Sequence, residues 1–589
     1  MNYQGNDIRL GQIIGTNQEL TMSAEDRQTH LYLPGNTGVG KSKMMESMIC
    51  QDIDQWMDNG CGMMLLDRHG SVYRNVLKYV VESGLDRPII PLDFSRDDWI
   101  LGYNPLRNRE GADPSVIARA LVAAMAHVFG KHDTQGTPRF GRVATTVLMT
   151  ILQQGRPLLE AAQLASSKSA MAMLANSVHE EFSKTDLLRS AAMSDRDFYT
   201  EVESTVNRLR PFSLNQRFKA MFGHVGETLD LRKVLDEGSI LLVNLEQKQN
   251  RLSEEDASLF GTLLLTDLWT AANDRGKPDD ASEIKPFYVY VDEAQNFVTP
   301  TIAKNLTEAR GFGLNVVLAS QYPGQFAEAG ANGEAMYNAT MAAARSKAVF
   351  QMSHLDDLES LTKQLFSGVL DPMKVKRFTT KVVGYKVGTL RSHTTGTNSQ
   401  EGDSEGFHQG RGVGTSQRQR RSDETDDPDI YLSEQSLDGI GTTHSHVEGK
   451  SESETEAEAL MPVMGNEVAE YVSLDEQLAM FQQILNGQDK RECMVRLASM
   501  KAPVALRTLD VPPPWVSDED VQAYLQKRFR SLPYALRLTE AIERATQRER
   551  DFLQSIVTLT KNDEPSGGRR VRRPKQIEAK VSNPPKSSE

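Results

Sequence analysis

Short apolar runs alternate with helical patterns near the start of the chain. The run His30–Pro34 precedes a glycine-rich turn, and the following stretch Lys43–Met57, rich in Met, Glu, Gln and Ile without Gly or Pro, has the composition of a helix. Two more apolar runs follow, Gly62–Asp67 and Pro88–Phe94. Strands that alternate with helices predict an α/β fold with a parallel sheet, in which ligands bind at the carboxyl ends of the strands. Between Ile8 and Thr29 the pattern favours a short hairpin packed on this domain.

The pattern changes at Asp113-Pro114, which is a good N-cap followed by a good first helical residue. Helical spacing then recurs in Ser115–Phe129, Arg142–Gln154 and Leu158–Ala175. Strand signals are scarce until about Leu229. We therefore expect residues 111–226 to be an all-helical insertion within the α/β domain.

The α/β alternation returns in the middle of the chain. The predicted strands are Ile240–Leu245, Phe287–Glu293, Asn315–Ser320 and Ser346–Met352, and the predicted helices are Glu254–Asn273 and Ile302–Arg310. The two parts of one P-loop-type α/β domain are thus expected at residues 1–110 and 227–390.

The remaining third of the chain has a different composition. Residues 391–460 are rich in Ser, Gly, Thr, Gln and acids, which predicts a low-complexity acidic linker, either disordered or a very long surface loop. A small α+β or helical module is expected at 461–560, with a helix at Leu474–Leu485 and short strands near Glu492–Leu497 and Val504–Leu509. Residues 561–589 form a predicted disordered basic tail, which either is simply solvated or contacts nucleic acid or acidic lipid; its cluster is Arg569, Arg570, Arg572, Arg573 and Lys575.

Composition narrows the class of protein. The 589 residues are 39% hydrophobic and 25% charged, as in globular proteins, and no apolar run approaches the ~20 residues of a membrane helix. The three cysteines, Cys50, Cys61 and Cys493, have no metal-ligand spacing, so a reducing cytosol is expected. Between Glu401 and Leu460 fifteen acids face five bases, which accounts for most of the net charge of −13 and leaves room for a basic channel elsewhere.

The turn after the first apolar run matches the P-loop pattern, in which backbone N–H groups and a helix N-terminus surround phosphate oxygens. Its residues are Gly35, Asn36, Thr37, Gly38, Val39, Gly40, Lys41 and Ser42. Lys41 is expected to reach the β- and γ-phosphates of ATP, and the Ser42 hydroxyl to bind Mg²⁺. The alternative is a glycine-rich turn without function, which the acidic motif described next disfavours.

Acidic and polar residues follow several predicted strands. Asp292 ends an apolar strand and is expected in the Mg²⁺ shell, and Glu293 is expected to be the general base for water; alternatively both acids merely start a helix. Gln321, at another strand end, is placed to sense the γ-phosphate or the water. Asp67 and His69 are either part of the site or a helix cap and a loop histidine.

The full set of motifs resembles the HerA–FtsK superfamily of motor ATPases, and within it the coupling proteins of type IV secretion and conjugation (TraG/TraD-like), in a soluble form. The residues that carry the resemblance are Gly35–Ser42, Asp67–Gly70, Asn104–Leu106, Leu229–Leu245, Val291–Gln295, Glu308–Arg310 and Gln321. The resemblance covers about residues 8–385. It implies a RecA-like P-loop domain, a homo-hexameric ring with ATP between subunits, and DNA in a central channel. It also places Arg310 as an arginine finger, although a helix C-terminal cation is an equal alternative.

Three functions are compatible with these residues. The first is a DNA-translocating ATPase that acts as a coupling protein with a relaxase, an adaptor or a secretion channel as partner. The second is a cytosolic HerA-like translocase for DNA processing or defence with a nuclease partner, and the third is an ATP-gated docking platform for secreted proteins. The expected location is the cytoplasm, with or without docking at the inner face of the cell membrane. Lys248 and Arg251 are candidate channel residues that grip the DNA backbone, or alternatively solvated loop residues.

Overall fold

The core of the protein is a sheet built from both the early and the late parts of the chain. The structure, a computed structural model, describes residues 6–107, 113–129, 137–275, 284–306, 308–328, 333–396, 409–415, 432–438 and 451–562. The strands are β1 Ile8–Ile13, β2 Glu19–Met22, β3 Leu31–Pro34, β4 Gly62–Asp67, β5 Ile89–Asp93, β6 Trp99–Leu101, β7 Ile240–Asn244, β8 Phe287–Val291, β9 Leu314–Ser320, β10 Ser346–Phe350, β11 Val375–Gly396, β12 Gln409–Thr415, β13 Leu432–Asp438, β14 Ser451–Tyr471, β15 Glu492–Arg496, β16 Val504–Thr508 and β17 Ala535–Arg537.

Helices cover both faces of this sheet and form the long segment between β6 and β7. They are α1 Ala24–Arg27, α2 Lys41–Asn59, α3 Ser71–Ser83, α4 Pro114–Phe129, α5 Thr137–Gln153, α6 Glu160–Ser166, α7 Lys168–Ala175, α8 Glu181–Ala192, α9 Asp195–Leu209, α10 Pro211–Leu214, α11 Gln216–Phe222, α12 Leu231–Glu237, α13 Glu254–Asn273, α14 Pro300–Leu306, α15 Gly324–Ala327, α16 Gly333–Ala343, α17 Leu355–Phe366, α18 Leu474–Asn486, α19 Asp518–Ser531 and α20 Leu538–Asn562. Short 3₁₀ turns occupy Lys248–Asn250, Ala294–Asn296 and Ala309–Phe312.

The large sheet has the strand order β2-β1-β16-β15-β10-β3-β9-β8-β4-β7-β5. From β10 to β5 all neighbours are parallel, and every residue of strands such as β3, β4 and β8 is buried. Burial on both faces explains why these strands are continuous apolar runs in the sequence. The predicted α/β class with a parallel-rich sheet is therefore confirmed, as is the short hairpin before the P-loop, formed by β1 and β2.

In the segment predicted to be helical, the described residues form helices α4 to α11 joined by turns, and none of these residues lies in a strand. The predicted helix Leu158–Ala175 is divided, because the Ser167 hydroxyl accepts the amide of Ala170 and caps a new helix, α7. An aromatic cluster fixes α11 to the sheet side of the domain. Its members are Phe94, Phe212, Phe218, Phe222 and Phe260, with ring centroids 4.8–6.2 Å apart.

The late part of the chain does not form the separate module expected at 461–560. Strands β15 and β16 enter the large sheet between β10 and β1, with antiparallel pairing on both sides. Helix α20 packs on α6, α7 and α11, where the buried Glu160 carboxylate accepts Arg156 and Arg548 at 2.6 and 2.7 Å. The expectation was wrong because β10 and β1, which lie 143 or more residues before their partners in β15 and β16, cannot be identified as partners from a local pattern.

The linker was expected to span 391–460, but in the structure both ends of this stretch belong to strands. Strand β11 continues to Gly396, and β14 begins at Ser451; the two pair antiparallel as a two-stranded ribbon. The same stretch contains β12 paired with β13, and its other residues lie outside the described ranges. Residues Pro372–Val472 make up one compact unit, and the rest of the chain makes up the other. The predicted basic tail lies outside the described residues from 563 onward.

A buried ion pair ties the start of the chain to the sheet. The Arg27 guanidinium donates to both carboxylate oxygens of Asp52 at 2.7 and 2.8 Å, and also to the Tyr290 hydroxyl at 3.0 Å. The Tyr290 hydroxyl in turn donates to Asp52 at 2.6 Å, and Arg27 and Asp52 are almost completely buried. These hydrogen bonds give nearly every polar side-chain atom of the three residues a partner.

Substituting Arg27 by Met should lower the free energy of unfolding by about 3–5 kcal/mol, because the Asp52 carboxylate would stay buried without its cation. Urea unfolding curves measure the loss. The double variant Arg27→Met/Asp52→Leu serves as the control, since it removes both charges and should regain most of the stability. A double variant no more stable than Arg27→Met would contradict this account.

Candidate nucleotide-binding site

The predicted P-loop connects β3 to α2 at the carboxyl edge of the parallel strands. The Gly35 amide donates to the carbonyls of Ser320 and Gln321 at 3.2 and 3.1 Å, which fastens the loop to the end of β9. Gly38 and Gly40 have φ angles of 82° and 125°, a region that side chains with a Cβ rarely adopt. The loop therefore has the glycine-dependent backbone that a phosphate cradle requires.

Lys41 is held inside this loop. Its side chain is buried, and Nζ donates to the carbonyls of Gly35 at 2.5 Å and Asn36 at 2.9 Å. Burial lowers the pKa of Lys41, and the carboxylates of Glu293 and Asp292 oppose that shift. The ammonium is thus positioned at the mouth of the loop, where phosphate oxygens can replace the two carbonyls as its partners. Ser42, half-buried, is the next residue of α2.

Asp292 and Glu293 follow β8 at the same edge of the sheet. Asp292 is buried, and its amide donates to Leu66 O at 3.0 Å on the neighbouring strand. Burial, together with the carboxylates of Asp67 and Glu293, raises the pKa of Asp292 to about 7, against the influence of Lys41. This excess of negative charge suits a divalent cation. Across the described residues no three His, Cys, Asp or Glu side chains gather as a metal cage, and a P-loop Mg²⁺ needs none because phosphate and water complete its shell.

Glu293 has an unusual backbone. Its φ and ψ are 51° and 51°, in the left-handed region, and its side chain is 9% exposed. Gln295 Nε2 donates to Glu293 Oε2 at 2.6 Å, which orients the carboxylate. A left-handed non-glycine residue carries a cost of order 1–3 kcal/mol that surrounding structure must offset, and such residues cluster at functional sites.

Asp67 is a cap. Its buried carboxylate accepts the amides of His69, Gly70 and Tyr73 at 2.8–2.9 Å, at the beginning of α3. Burial raises the pKa of Asp67, and these amides oppose the shift. The first of the two sequence interpretations, a site residue, is therefore replaced by the helix-cap interpretation, although the Asp67 charge still acts on Asp292. His69 is an exposed loop residue.

Gln321 and Arg310 lie at opposite ends of β9. Gln321 follows the carboxyl end, where its carbonyl accepts Gly35 and its amide donates to Gln325 at 3.0 Å, so it adjoins the P-loop. Arg310 lies in the turn before the amino end and is exposed. The seven residues of β9 span roughly 20 Å at ~3.3 Å per residue. Arg310 is thus too far from its own P-loop to contact a nucleotide there.

The late segment of the chain adds a wall that sequence reasoning missed. The Arg491 amide donates to Val39 O at 2.7 Å, and a Cβ placed on Gly40 would lie 3.1 Å from Arg491 Cα. Arg491 itself has φ 72°, donates to Thr508 O at 2.8 Å and pairs with Asp510. No motif in the sequence marks this contact, because about 450 residues separate it from the loop.

The two proposed channel residues differ. Lys248 is exposed in a 3₁₀ turn and makes no ion pair within the described part of the chain, so its role as a DNA contact stays a prediction. Arg251 is mostly buried; it donates to Ser95 O and pairs with Asp97, which also binds Arg217 at 2.8 Å. The channel role predicted for Arg251 was therefore wrong in the single subunit, because its guanidinium already has partners inside the fold.

Comparisons with solved structures give remote likenesses. The unbound bacterial conjugative coupling protein TrwBdeltaN70 is 12% identical, with a TM-score of 0.48 over 86% of this chain and 90% of that one. Plasmid coupling protein TrwB in complex with ADP and Mg²⁺ is 16% identical, with a TM-score of 0.39 over 58% and 76%. VirB4 of Thermoanaerobacter pseudethanolicus is 13% identical, with a TM-score of 0.39 over 61% and 87%. No curated protein sequence matches the chain.

The sequence profile of one family matches directly. It is described as the type IV secretion-system coupling protein DNA-binding domain, and it aligns with residues 16–401. None of the helices in the described ranges has both the length and the apolar sequence needed to cross a membrane. Because the profile covers more than half of the 589 residues, the chain belongs to the type IV secretion-system coupling protein family.

Proposed function

We propose that this protein is an ATP-hydrolysing ring motor that translocates DNA, alone or with an attached protein, as a coupling protein of conjugation or type IV secretion. The observation that carries the proposal is the meeting of Lys41, Asp292 and Glu293 at the carboxyl edge of one parallel sheet. A cation for phosphate, a carboxylate for metal and a carboxylate for water are the parts that ATP hydrolysis requires.

Each residue has a separate task in this proposal. The amides of the loop Gly35–Ser42 and the ammonium of Lys41 bind the β- and γ-phosphates of ATP. Ser42 and Asp292 hold Mg²⁺, which when bound neutralises charge on those phosphates. Glu293, oriented by Gln295, accepts the proton of the attacking water. Gln321 lies beside the loop on the end of β9 and senses the γ-phosphate.

The position of Arg310 supports a ring. Since it lies at the far end of β9 from its own site and is exposed, it can complete only the site of another subunit. Six subunits around a channel, as the family resemblance implies, would place one Arg310 at each neighbouring nucleotide. Lys248 of each subunit is the proposed contact with the DNA backbone.

The test is the ATPase rate with single- and double-stranded DNA, with the oligomer mass measured on the same samples. We expect DNA to stimulate hydrolysis and the mass to exceed that of one chain. Lys248→Ala should weaken the stimulation and flatten the log–log salt dependence of binding, by about 0.9 for each duplex phosphate that is no longer neutralised. Exposed Lys233 on α12 provides the matched control, Lys233→Ala. An ATPase rate that neither single- nor double-stranded DNA changes would favour the ATP-gated docking platform.

A further inference from the structure

The ribbon of β11 and β14 is long and has only two strands. Its register runs from Val375 opposite Tyr471 to Gly396 opposite Ser451. Among the described residues no third strand pairs with either outer edge, so within this part of the chain the backbone of both edges has no strand partner. A ribbon of two strands is at best marginally stable in water unless something covers it.

The ribbon also exposes large apolar side chains. Tyr385 and Val387 are 67% and 66% exposed, and Leu460, which is opposite Val387 on the same face, is 69% exposed. Val383, whose neighbours in the strand are Val382 and Gly384, is 71% exposed. Neighbouring apolar side chains that are each about two-thirds exposed indicate a surface that another protein covers.

The charges of the two strands are strictly separated. Strand β11 carries Lys and Arg without any Asp or Glu, and β14 carries Glu without any Lys or Arg. The basic residues are Lys376, Arg377, Lys381, Lys386 and Arg391, and the acidic residues are Glu452, Glu454, Glu456, Glu458, Glu467 and Glu470. Within the ribbon Arg377 pairs with Glu470 at 2.5 Å. One outer edge of the ribbon is therefore basic and the other is acidic.

We propose that the basic β11 edge of one copy pairs with the acidic β14 edge of a second copy of this chain. Within a ribbon β14 runs opposite to β11, so the β11 strand of the next copy can continue the antiparallel ladder on the far side of β14. Opposite charges favour this pairing, and like charges oppose the joining of two β11 edges or two β14 edges. The contact is head to tail, and such contacts close into rings when the rotation permits.

Repeated around a ring, these contacts join the ribbons into a closed antiparallel barrel. Closure leaves no free edge, and it gives the exposed apolar side chains neighbours on the adjoining ribbon. The pairing of two copies needs no catalytic activity. The closed barrel rests on the ring assembly of the proposed function.

The complementary charges have one other explanation, which is that they serve only the pairing inside a ribbon. A charge-swapped chain separates the two explanations. In that chain the five basic residues of β11 become Glu and the six Glu of β14 become Lys, so each ribbon keeps its internal complementarity. A swapped ribbon can pair with another swapped ribbon, but its β11 edge repels the β14 edge of the unchanged chain, and its β14 edge repels the unchanged β11 edge.

The experiment uses disulfide formation between differently tagged full-length chains. One chain carries Thr389→Cys on β11, and the other carries Glu456→Cys, Glu458→Cys or Leu460→Cys, which cover three registers on one face of β14. The native cysteines are buried, so their contribution is small and is measured with unsubstituted chains. Because each chain has one engineered cysteine, every heterodimer is a contact between copies.

We expect β11–β14 heterodimers at least about tenfold above β11–β11 and β14–β14 homodimers, and a similar loss when one partner is charge-swapped. Equal yields for like and unlike strands, or yields that the charge swap leaves unchanged, would overturn the proposal. Oligomer mass and ATPase rate are measured on the same samples. A ring mass without heterodimers overturns the ribbon pairing alone, whereas a monomer mass overturns both the pairing and the ring motor; an inactive ring with heterodimers overturns only the motor.

Discussion

Glu293→Gln is expected to hydrolyse ATP about 10²–10⁴-fold more slowly than the unchanged chain while it still binds ATP. The amide has nearly the same shape as the carboxylate, so the left-handed turn and the bond from Gln295 can persist. The variant fails because the amide is unable to accept the proton of the attacking water. Phosphate release gives the rate, and calorimetric titration with ATP gives the affinity.

Lys41→Ala should behave in the opposite way and abolish the binding itself, because the phosphates would be without the ammonium that the loop holds ready. Exposed Glu334 on α16 offers a matched control, since Glu334→Gln makes the same chemical change as Glu293→Gln away from the site. If Lys41→Ala and Glu293→Gln reduced the affinity for ATP equally, the separate tasks assigned to the two residues would be wrong.

Arg310→Ala should leave ATP binding to the isolated subunit nearly unchanged and slow hydrolysis by the assembled ring by roughly a hundredfold or more. A finger from a neighbouring subunit contributes about 10³–10⁵ in rate in other NTPases, because its positive charge stabilises the transition state. Exposed Arg119 on α4 bonds Ser115 one turn earlier, so Arg119→Ala is the matched control.

Mixed rings test whether Arg310 acts between subunits. Some interfaces in a mixture of Arg310→Ala and Glu293→Gln subunits combine an intact finger with an intact base. Hydrolysis should therefore partly recover in the mixture, above the slowed rate of either variant alone. Absence of recovery, in rings shown by tagged subunits to exchange, would remove the assignment of Arg310 to the neighbouring site.

The parts of the candidate nucleotide site could be located in the sequence because each of them is local. The P-loop is one contiguous stretch whose function follows from its own backbone, and Asp292 and Glu293 directly follow a recognisable apolar strand. What joins these parts is the parallel sheet, and the order of strands in a sheet of this kind is constrained by general rules.

The misinterpreted residues depend on distant partners. The residues next to Arg251 in the sequence are typical of an exposed loop. Only the fold brings Asp97, 154 residues earlier, into contact with its guanidinium. Strands β15 and β16 were expected nearly where they occur, but nothing nearby reveals that they pair with β10 and β1. The ribbon did leave a local signal: Glu at 452, 454, 456 and 458 alternates with small residues at the period of a strand. This alternation involves only Glu and small residues, so it lacks the large apolar side chains that mark a half-buried strand.

The position of β15 and β16 within the sheet has a consequence for folding during synthesis on the ribosome. Strand β1 is made about 500 residues before β16, the strand that connects it to the rest of the sheet. At ~5–20 residues per second this delay is roughly 25–100 s. Throughout it β1 lacks β16, β10 once made lacks β15, and the phosphate loop lacks the wall that Arg491 supplies. The Arg491 wall of the P-loop is therefore absent from a nascent chain until about 450 residues after the loop have been made.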